Sequence, residues 1–361
     1  MLFPIPIIIL VSFLISFIST PLVMRWAKRY GFIDDPKIRP HPAHTHKGII
    51  PRAGGVPIYL GIFLPVLFIL PINKVFWGIF LAATIIIIIG LWDDRKDRSP
   101  YVRFMLNFIV AAIAVAAGVG IPYITNPFGG VIHLDTFKIA FNLFGTHSII
   151  IWADIFALIW IVWCMNMTNW SKGVDGQMPG FVGIAGAVLG LLSLKFSRAD
   201  ISQINVTYLA FLTAGSFLGF LPWNFYPQKI MPGYGGGSLA GFMLAVISIL
   251  SYGKLGTLLL VLGVPLTDAI YTITRRLIFR KSPFAADRGH LHHKLLSIGW
   301  GRRRIAVFYW LISAILGVIA LSLDSKQKLF AIVLFIAIIS GFILWISLLS
   351  KIKEMTEEEN V

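Results

Sequence analysis

Three carboxylates stand within five residues at Asp93-Asp94-Arg95-Lys96-Asp97, directly after an apolar run that ends at Leu91-Trp92. Desolvating a carboxylate at the mouth of such a run costs on the order of several kcal/mol unless a cation or water satisfies it. The cluster therefore reads as a metal-assisted polar site at a membrane surface. The competing reading is a hydrated loop in which Arg95, Lys96 and Arg98 neutralise the acids. If the ligand is a diphosphate or a nucleotide, the carboxylates would hold Mg²⁺ (Mn²⁺ being the alternative) through a few oxygens while the ion bridges phosphate oxygens.

Four further clusters could serve the same ligand. The first joins Asp34-Asp35-Pro36, His44, His46-Lys47-Gly48 and Pro51-Arg52-Ala53-Gly54-Gly55. Asn166 and Asn169 sit three apart, on one face of a helix, ahead of Lys172-Gly173-Val174-Asp175-Gly176. Asn224-Phe225-Tyr226-Pro227 precedes Pro232-Gly233-Tyr234-Gly235-Gly236-Gly237-Ser238, whose glycines would let backbone N–H groups approach an anion. Asp287-Arg288-Gly289-His290-Leu291-His292-His293 supplies donors for phosphate oxygens. Structural alternatives stand beside these. The asparagines could bond across helices, the glycines could form a turn or a close-packed helix start, and the histidines could be solvated or bind zinc without cysteine partners. Arg302-Arg303-Arg304 reads as a topological anchor.

The elements that must position these residues are membrane helices. Of the 361 residues, 57% are hydrophobic and 13% charged, against about 25% charged in a soluble protein. Apolar runs of ~18 residues recur, so the expected fold is an all-α, polytopic helical bundle. Its eleven spans fall at 3–24, 53–72, 75–92, 104–121, 149–167, 179–195, 207–222, 236–251, 255–271, 305–323 and 329–350. The ninth is expected to break at Gly263 and Pro265, which a bundle tolerates where neighbours satisfy the freed backbone groups. One catalytic membrane domain over 1–350 and a short frayed tail at 351–361 are expected, without a cleavable signal peptide. Alternation around Ile132, His133, Leu134 and Asp135, then Phe137 to Phe141, suggests a small hairpin. The single Cys164 lies in a span, so no disulfide framework or cysteine metal cluster is expected.

The net charge of +15 is a topology signal rather than a nucleic-acid signal. Twenty-four of the 31 lysines and arginines fall on one side of the predicted spans. The positive-inside rule then places the N-terminus outside, and the C-terminus with all five clusters on the cytoplasmic side of the cell (inner) membrane. Loops converging on one face are how a helical bundle builds an active-site cleft.

Together, Asp-Asp-x-x-Asp at 93–97, Asn-x-x-Asn at 166–169, Gly-x-Asp-Gly at 173–176, Asn224-Phe225-x-Pro227 and His290-x-His292-His293 resemble the polyprenyl-phosphate N-acetylhexosamine-1-phosphate transferases. The motifs follow the family's order over roughly residues 30–300. The resemblance implies an enzyme that moves a sugar 1-phosphate from a UDP-N-acetylhexosamine to undecaprenyl or another polyprenyl phosphate, with Mg²⁺, releasing UMP. Arg-Gly-His-Leu-His-His at 288–293 is similar to the GlcNAc-1-phosphate branch, with the MurNAc-pentapeptide branch as the alternative. With that chemistry, Asp93, Asp94 and Asp175 are the expected catalytic residues, and Asp93, Asp94 and Asp97 the expected metal ligands. Lys47, Arg52, Asn166, Asn169, Lys172, Asn224, Arg288, His290, His292 and His293 are expected on substrate. The expected partners are the UDP-sugar, the lipid phosphate and the membrane, with a homodimer allowed and nucleic acid not expected.

Two positions depart from the family's pattern. Lys172 stands where the family carries the first acid of Asp-Gly-x-Asp-Gly. Tyr234 follows Gly233 where the family carries an aspartate that helps hold the metal. Either Lys172 donates to the diphosphate directly while Asp93, Asp94 and Asp175 hold Mg²⁺, or the metal site is broken and the protein only binds. From another class, a transporter would rely on Asp154 and Asp268 within helices.

Overall fold

The computed structural model describes residues 3–38, 48–126, 129–142, 146–283 and 289–359. Every expected span is helical: α1 (Ile5–Arg29), α2 (Gly55–Ile69), α3 (Lys74–Lys96), α4 (Pro100–Ala116), α5 (Ile151–Trp170), α6 (Gln177–Phe196), α7 (Gln203–Asn224), α8 (Gly233–Leu250), the pair α9 (Leu255–Val261) and α10 (Gly263–Ile278), then, after a short α11 (Leu291–Ser297), α12 (Arg302–Ser322) and α13 (Ser325–Glu359). Among the described residues, eight helices are long and apolar enough to cross a membrane alone. The ninth span is broken as the sequence predicts, α9 and α10 meeting at 84°, while α2 and α4 are shorter apolar helices of 15 and 17 residues. The chain is a multi-pass helical membrane protein. Helix α13 runs on to Glu359 instead of ending near 350.

The segment between α4 and α5 forms two antiparallel hairpins instead of one. Tyr123–Thr125 pairs with Val131–His133, and Lys138–Asn142 pairs with Thr146–Ile150, so α5 begins two residues later than expected. A third short ribbon pairs Ile33 with Pro51 and Asp34 with Ile50, which brings Asp34 and Arg52 to the same end of the bundle.

Helix α8 is the centre of the bundle. It is buried from Gly233 to Ile249 and packs on α5, α3 and α2. Its small residues explain how. Hydrocarbon lipid provides no hydrophobic drive between helices, so close van der Waals contact must hold them. Gly235 meets Gly90 of α3, Gly236 meets Gly55 of α2, and a side-chain carbon at Gly241 would overlap the carbonyl oxygen of Cys164 on α5. The expectation that Gly235 to Gly237 form an anion-binding loop is therefore corrected: they are the close-packed first turn of a helix.

The ends of α3, α5, α7 and α10 and the starts of α4, α6, α8 and α12 gather at one end of the bundle, joined by the contacts described below. We expect Gly241→Leu to overpack the α5–α8 contact by about 1–3 kcal/mol. The measurement is thermal unfolding of the detergent-solubilised protein; an unchanged midpoint would show that the contact can open.

Candidate active site

Helix α3 delivers its carboxylates to three different partners. Asp94 is 2% exposed. Its Oδ1 accepts the Tyr234 N–H at 3.0 Å, at the start of α8, and lies 3.3 Å from Arg52 Nε. A helix N-terminus carries unsatisfied donors and partial positive charge, so a carboxylate from a neighbouring helix is well matched there. Gly233, at φ +69°, makes the junction feasible, because a side chain would overlap both the Arg52 carbonyl and the Asp94 carboxylate. Asp93, 1% exposed, accepts from Arg103 Nε at 2.7 Å and from the Arg98 N–H at 3.0 Å. Asp97 pairs with Arg52 at 3.1 Å and lies 3.8 Å from Arg103. Arg52 also reaches within 3.8 Å of Asp34.

Lys172 completes this ring. Its Nζ donates to Asn169 Oδ1 at 2.8 Å and to the Gly233 carbonyl at 2.7 Å. Asn169 is itself held, its Nδ2 donating to Ser238 Oγ at 2.7 Å. The two residues that depart from the family's pattern are neighbours: the ammonium lies 5.9 Å from the Tyr234 ring centroid, and the Arg103 guanidinium 5.5 Å from it. Cations over an aromatic face are attracted by its quadrupole. The Tyr234 hydroxyl points away, donating to Asn107 Oδ1 at 2.9 Å. Burial pushes the Lys172 ammonium down to about 8, Asp94 opposing that fall while Arg52 and Arg103 add to it.

The histidines reach the same end by way of Asp268, a residue the sequence suggested only for transport. Asp268 Oδ2 lies 2.9 Å from His290 Nδ1, and its Oδ1 accepts the Leu291 N–H at 2.7 Å. That pair fixes the start of α11. The His290 and His292 rings stack at 5.7 Å, and the His292 ring packs against Gly173, beside Lys172. Burial first, then His293 and His290, holds His292 well below the usual imidazole range, so it is neutral at physiological pH. Asp154, the other acid a transporter would use, accepts the Ile150 N–H at 2.8 Å at the start of α5.

Asp175 and Asn224 form a separate cluster. Asp175 Oδ2 accepts the Gln228 N–H at 3.2 Å and lies 3.6 Å from Arg302 Nη1. Burial holds the Asp175 carboxyl above the usual carboxylate range, the Gln228 N–H and Arg302 opposing. Arg302, expected as an anchor, is thus a partner of a candidate site acid, and no spacing in the sequence signals it. Asn224 accepts the Gly176 N–H at 3.0 Å and donates to Gln228 Oε1 and the Ile230 carbonyl, which makes it a brace between two loops. Asn166 donates to the Val162 carbonyl at 2.8 Å, one turn back along α5. Lys47 and Arg288 lie outside the described residues.

The donor set does not fit a divalent cation. Mg²⁺ takes a near-octahedral set of oxygens in which waters and substrate phosphates join one or two carboxylates, so it needs at least one carboxylate not already matched by a cation. Among the described residues, no three Asp, Glu, His or Cys side chains converge as metal ligands. Asp93, Asp94 and Asp97 are paired with Arg103 and Arg52. Asp93 Oδ2 and Asp175 Oδ1 are buried without a hydrogen-bond partner, but each is a single oxygen in a different cluster.

Asn224→Ala would strip the Gly176 N–H of its acceptor, and we expect a loss of about 1–3 kcal/mol. A thermal midpoint equal to that of the unaltered protein would remove the bracing role.

The chain is also similar to known proteins. The family model described as glycosyl transferase family 4 matches residues 76–252, from α3 to the end of α8. The chain is 28% identical to a probable undecaprenyl-phosphate N-acetylglucosaminyl 1-phosphate transferase of Bacillus subtilis, over 92% of this chain and 90% of that protein. It is 28% identical to an undecaprenyl-phosphate alpha-N-acetylglucosaminyl 1-phosphate transferase of Thermotoga maritima, over 90% and 92%. A phospho-N-acetylmuramoyl-pentapeptide-transferase of Bacillus velezensis is 26% identical, over 88% and 96%. With the ordered acidic, asparagine and histidine motifs gathered at one end of an apolar bundle, the chain is similar to glycosyl transferase family 4 along α3 to α8 and to its polyprenyl-phosphate members along most of its length.

Proposed function

We propose that the protein transfers N-acetylglucosamine 1-phosphate from a UDP-sugar to a polyprenyl phosphate, releasing UMP. One observation carries the reading: Arg52 and Arg103 pair with buried carboxylates, and Lys172 bonds Asn169 and the Gly233 carbonyl beside them, at one end of an apolar bundle. A lipid phosphate and a diphosphate could meet there. Similarity along 92% of the chain to a protein named for this transfer supports it. The MurNAc-pentapeptide reading has a relative at lower identity. By the positive-inside rule this end faces the cytoplasm, with the N-terminus outside.

In this mechanism an oxygen of the acceptor phosphate attacks the β-phosphorus of the UDP-sugar in line. The new oxygen–phosphorus bond forms as the bond from that phosphorus to the bridging oxygen breaks, and UMP departs with the electron pair. Such transfers are catalysed chiefly by positioning and by charge stabilisation. Arg52 and Lys172 face the phosphoryl oxygens. Asp93, through its unpartnered Oδ2, takes a proton from the acceptor. His290, His292 and His293, held by Asp268 and Gly173, face the sugar phosphate.

The test is UMP release by the purified protein with undecaprenyl phosphate and either UDP-GlcNAc or UDP-MurNAc-pentapeptide. We expect release that needs lipid, prefers UDP-GlcNAc and falls on the order of 10²-fold in Asp94→Asn. No release from either sugar by a folded protein would overturn the assignment. Lys172, lowered to about 8, carries its charge below that pH and loses it above, so the rate should fall as pH rises through about 8. Lys172→Arg should move that fall upward, since a guanidinium keeps its proton.

A further inference from the structure

We propose that Lys172, seated against the Tyr234 ring and bonded to Asn169 and Gly233, supplies from the chain itself the positive charge that a divalent ion would bring, so that transfer proceeds without a metal. The inference rests on the transferase reading above and goes beyond it to the source of phosphate stabilisation.

The first argument is geometric. An ammonium has three N–H donors, and Lys172 places two of them on protein oxygens, Asn169 Oδ1 and the Gly233 carbonyl. Both acceptors are rigid. Asn169 is fixed by Ser238 and by the Met165 carbonyl, and Gly233 is fixed by the Asp94 junction. A long side chain ordinarily loses much rotamer freedom when it grips a ligand. Here that ordering is complete before the ligand arrives, which is the condition for effective charge stabilisation. The third N–H is left for a phosphate oxygen.

The second argument is electrostatic. The carboxylates that would attract an ion are already matched. Arg103 holds Asp93, and Arg52 holds Asp94 and Asp97. A divalent ion entering between them would meet Lys172, Arg52 and Arg103 at close range, and like charges repel strongly where water is excluded. The third argument is the companion change at 234. An acid there would pair with the ammonium and cancel its charge. The aromatic face attracts the ammonium and leaves the charge intact, while the phenol hydroxyl is turned to Asn107 and the Arg103 carbonyl, away from any ion.

The proposal involves no bond change beyond the transfer already described: Lys172 donates to phosphoryl oxygens and neither gains nor loses a proton in the step.

Two measurements test it, one of them independent of turnover. In the first, UMP release is compared in EDTA and in Mg²⁺. We expect rates within about twofold of each other, whereas an ion acting as the main charge stabiliser would make EDTA cost on the order of 10³-fold. In the second, Mn²⁺ is titrated calorimetrically into the unaltered protein and into Asp94→Asn. We expect the same heats from both. We also expect Lys172→Asp combined with Tyr234→Asp to gain a Mn²⁺ site and to release UMP only when the ion is present. The isosteric Lys172→Met, which keeps the stem and removes the charge, should fold normally and lose most of its turnover. Turnover that stops in EDTA and returns with Mg²⁺ would overturn the proposal and leave the transferase reading standing. If the folded protein releases no UMP under any condition, the transferase reading falls. The proposal then falls with it, whereas one Mn²⁺ bound by the unaltered protein and lost in Asp94→Asn, with UMP still released, would overturn the proposal alone.

Discussion

Asp94 occupies a position where three demands meet. Its carboxylate stands at the end of α3, accepts the Tyr234 N–H in the first turn of α8 and pairs with Arg52 from the ribbon before α2. A buried charge of this kind is tolerable only with several partners, because losing any one leaves an uncompensated ion. The partners are drawn from segments 42, 140 and 78 positions away in sequence, in Arg52, Tyr234 and Lys172. The junction therefore fixes the mutual height of α2, α3, α5 and α8 along the bundle, and every other group in the site is placed relative to it.

That arrangement depends on small residues as much as on charge. Gly90 and Gly235 bring α3 against α8, Gly55 and Gly236 bring α2 against it, and Gly241 brings in α5. In a membrane, such contacts replace the hydrophobic force that would drive helices together in water. They also shorten the distance between helix ends, so that Lys172 can reach across to the Gly233 carbonyl and Asn169 to Ser238. Packing and chemistry share the same glycine-rich turn. The site is a by-product of how closely α8 can be approached.

Lys172 and Tyr234 show how a change of sign can be absorbed. In the proposed mechanism, a lysine beside the buried acids opposes an external cation and supplies a positive charge of its own below about pH 8. A tyrosine at the neighbouring corner supports that cation without neutralising it. Arg302 makes a comparable substitution of role at Asp175, where a residue that looked like a surface anchor pairs with a buried acid.

The spans were legible because apolar length is a local property: a run of about 18 hydrocarbon residues has no alternative to helix in lipid. The break at 262–263 was legible for the same reason, since Gly263 and Pro265 weaken the ladder locally. The grouping of Asp94, Asn169 and Lys172 was legible as motifs that alternate with spans. What the chain alone left open is which partner each side chain takes. The glycines at 235–237 looked like a loop for an anion and are a packed helix start. Asp268 looked like a carrier's acid and orients a histidine. Asn224 looked like a ligand contact and braces two loops. The contact between Lys172 and Tyr234 joins positions 62 apart. Hydropathy and motif order follow from single residues and their neighbours in sequence, so the sequence by itself determined the helices and the end at which chemistry collects. Partner choice depends on distances across helices, which are set only when α8 seats against α2, α3 and α5.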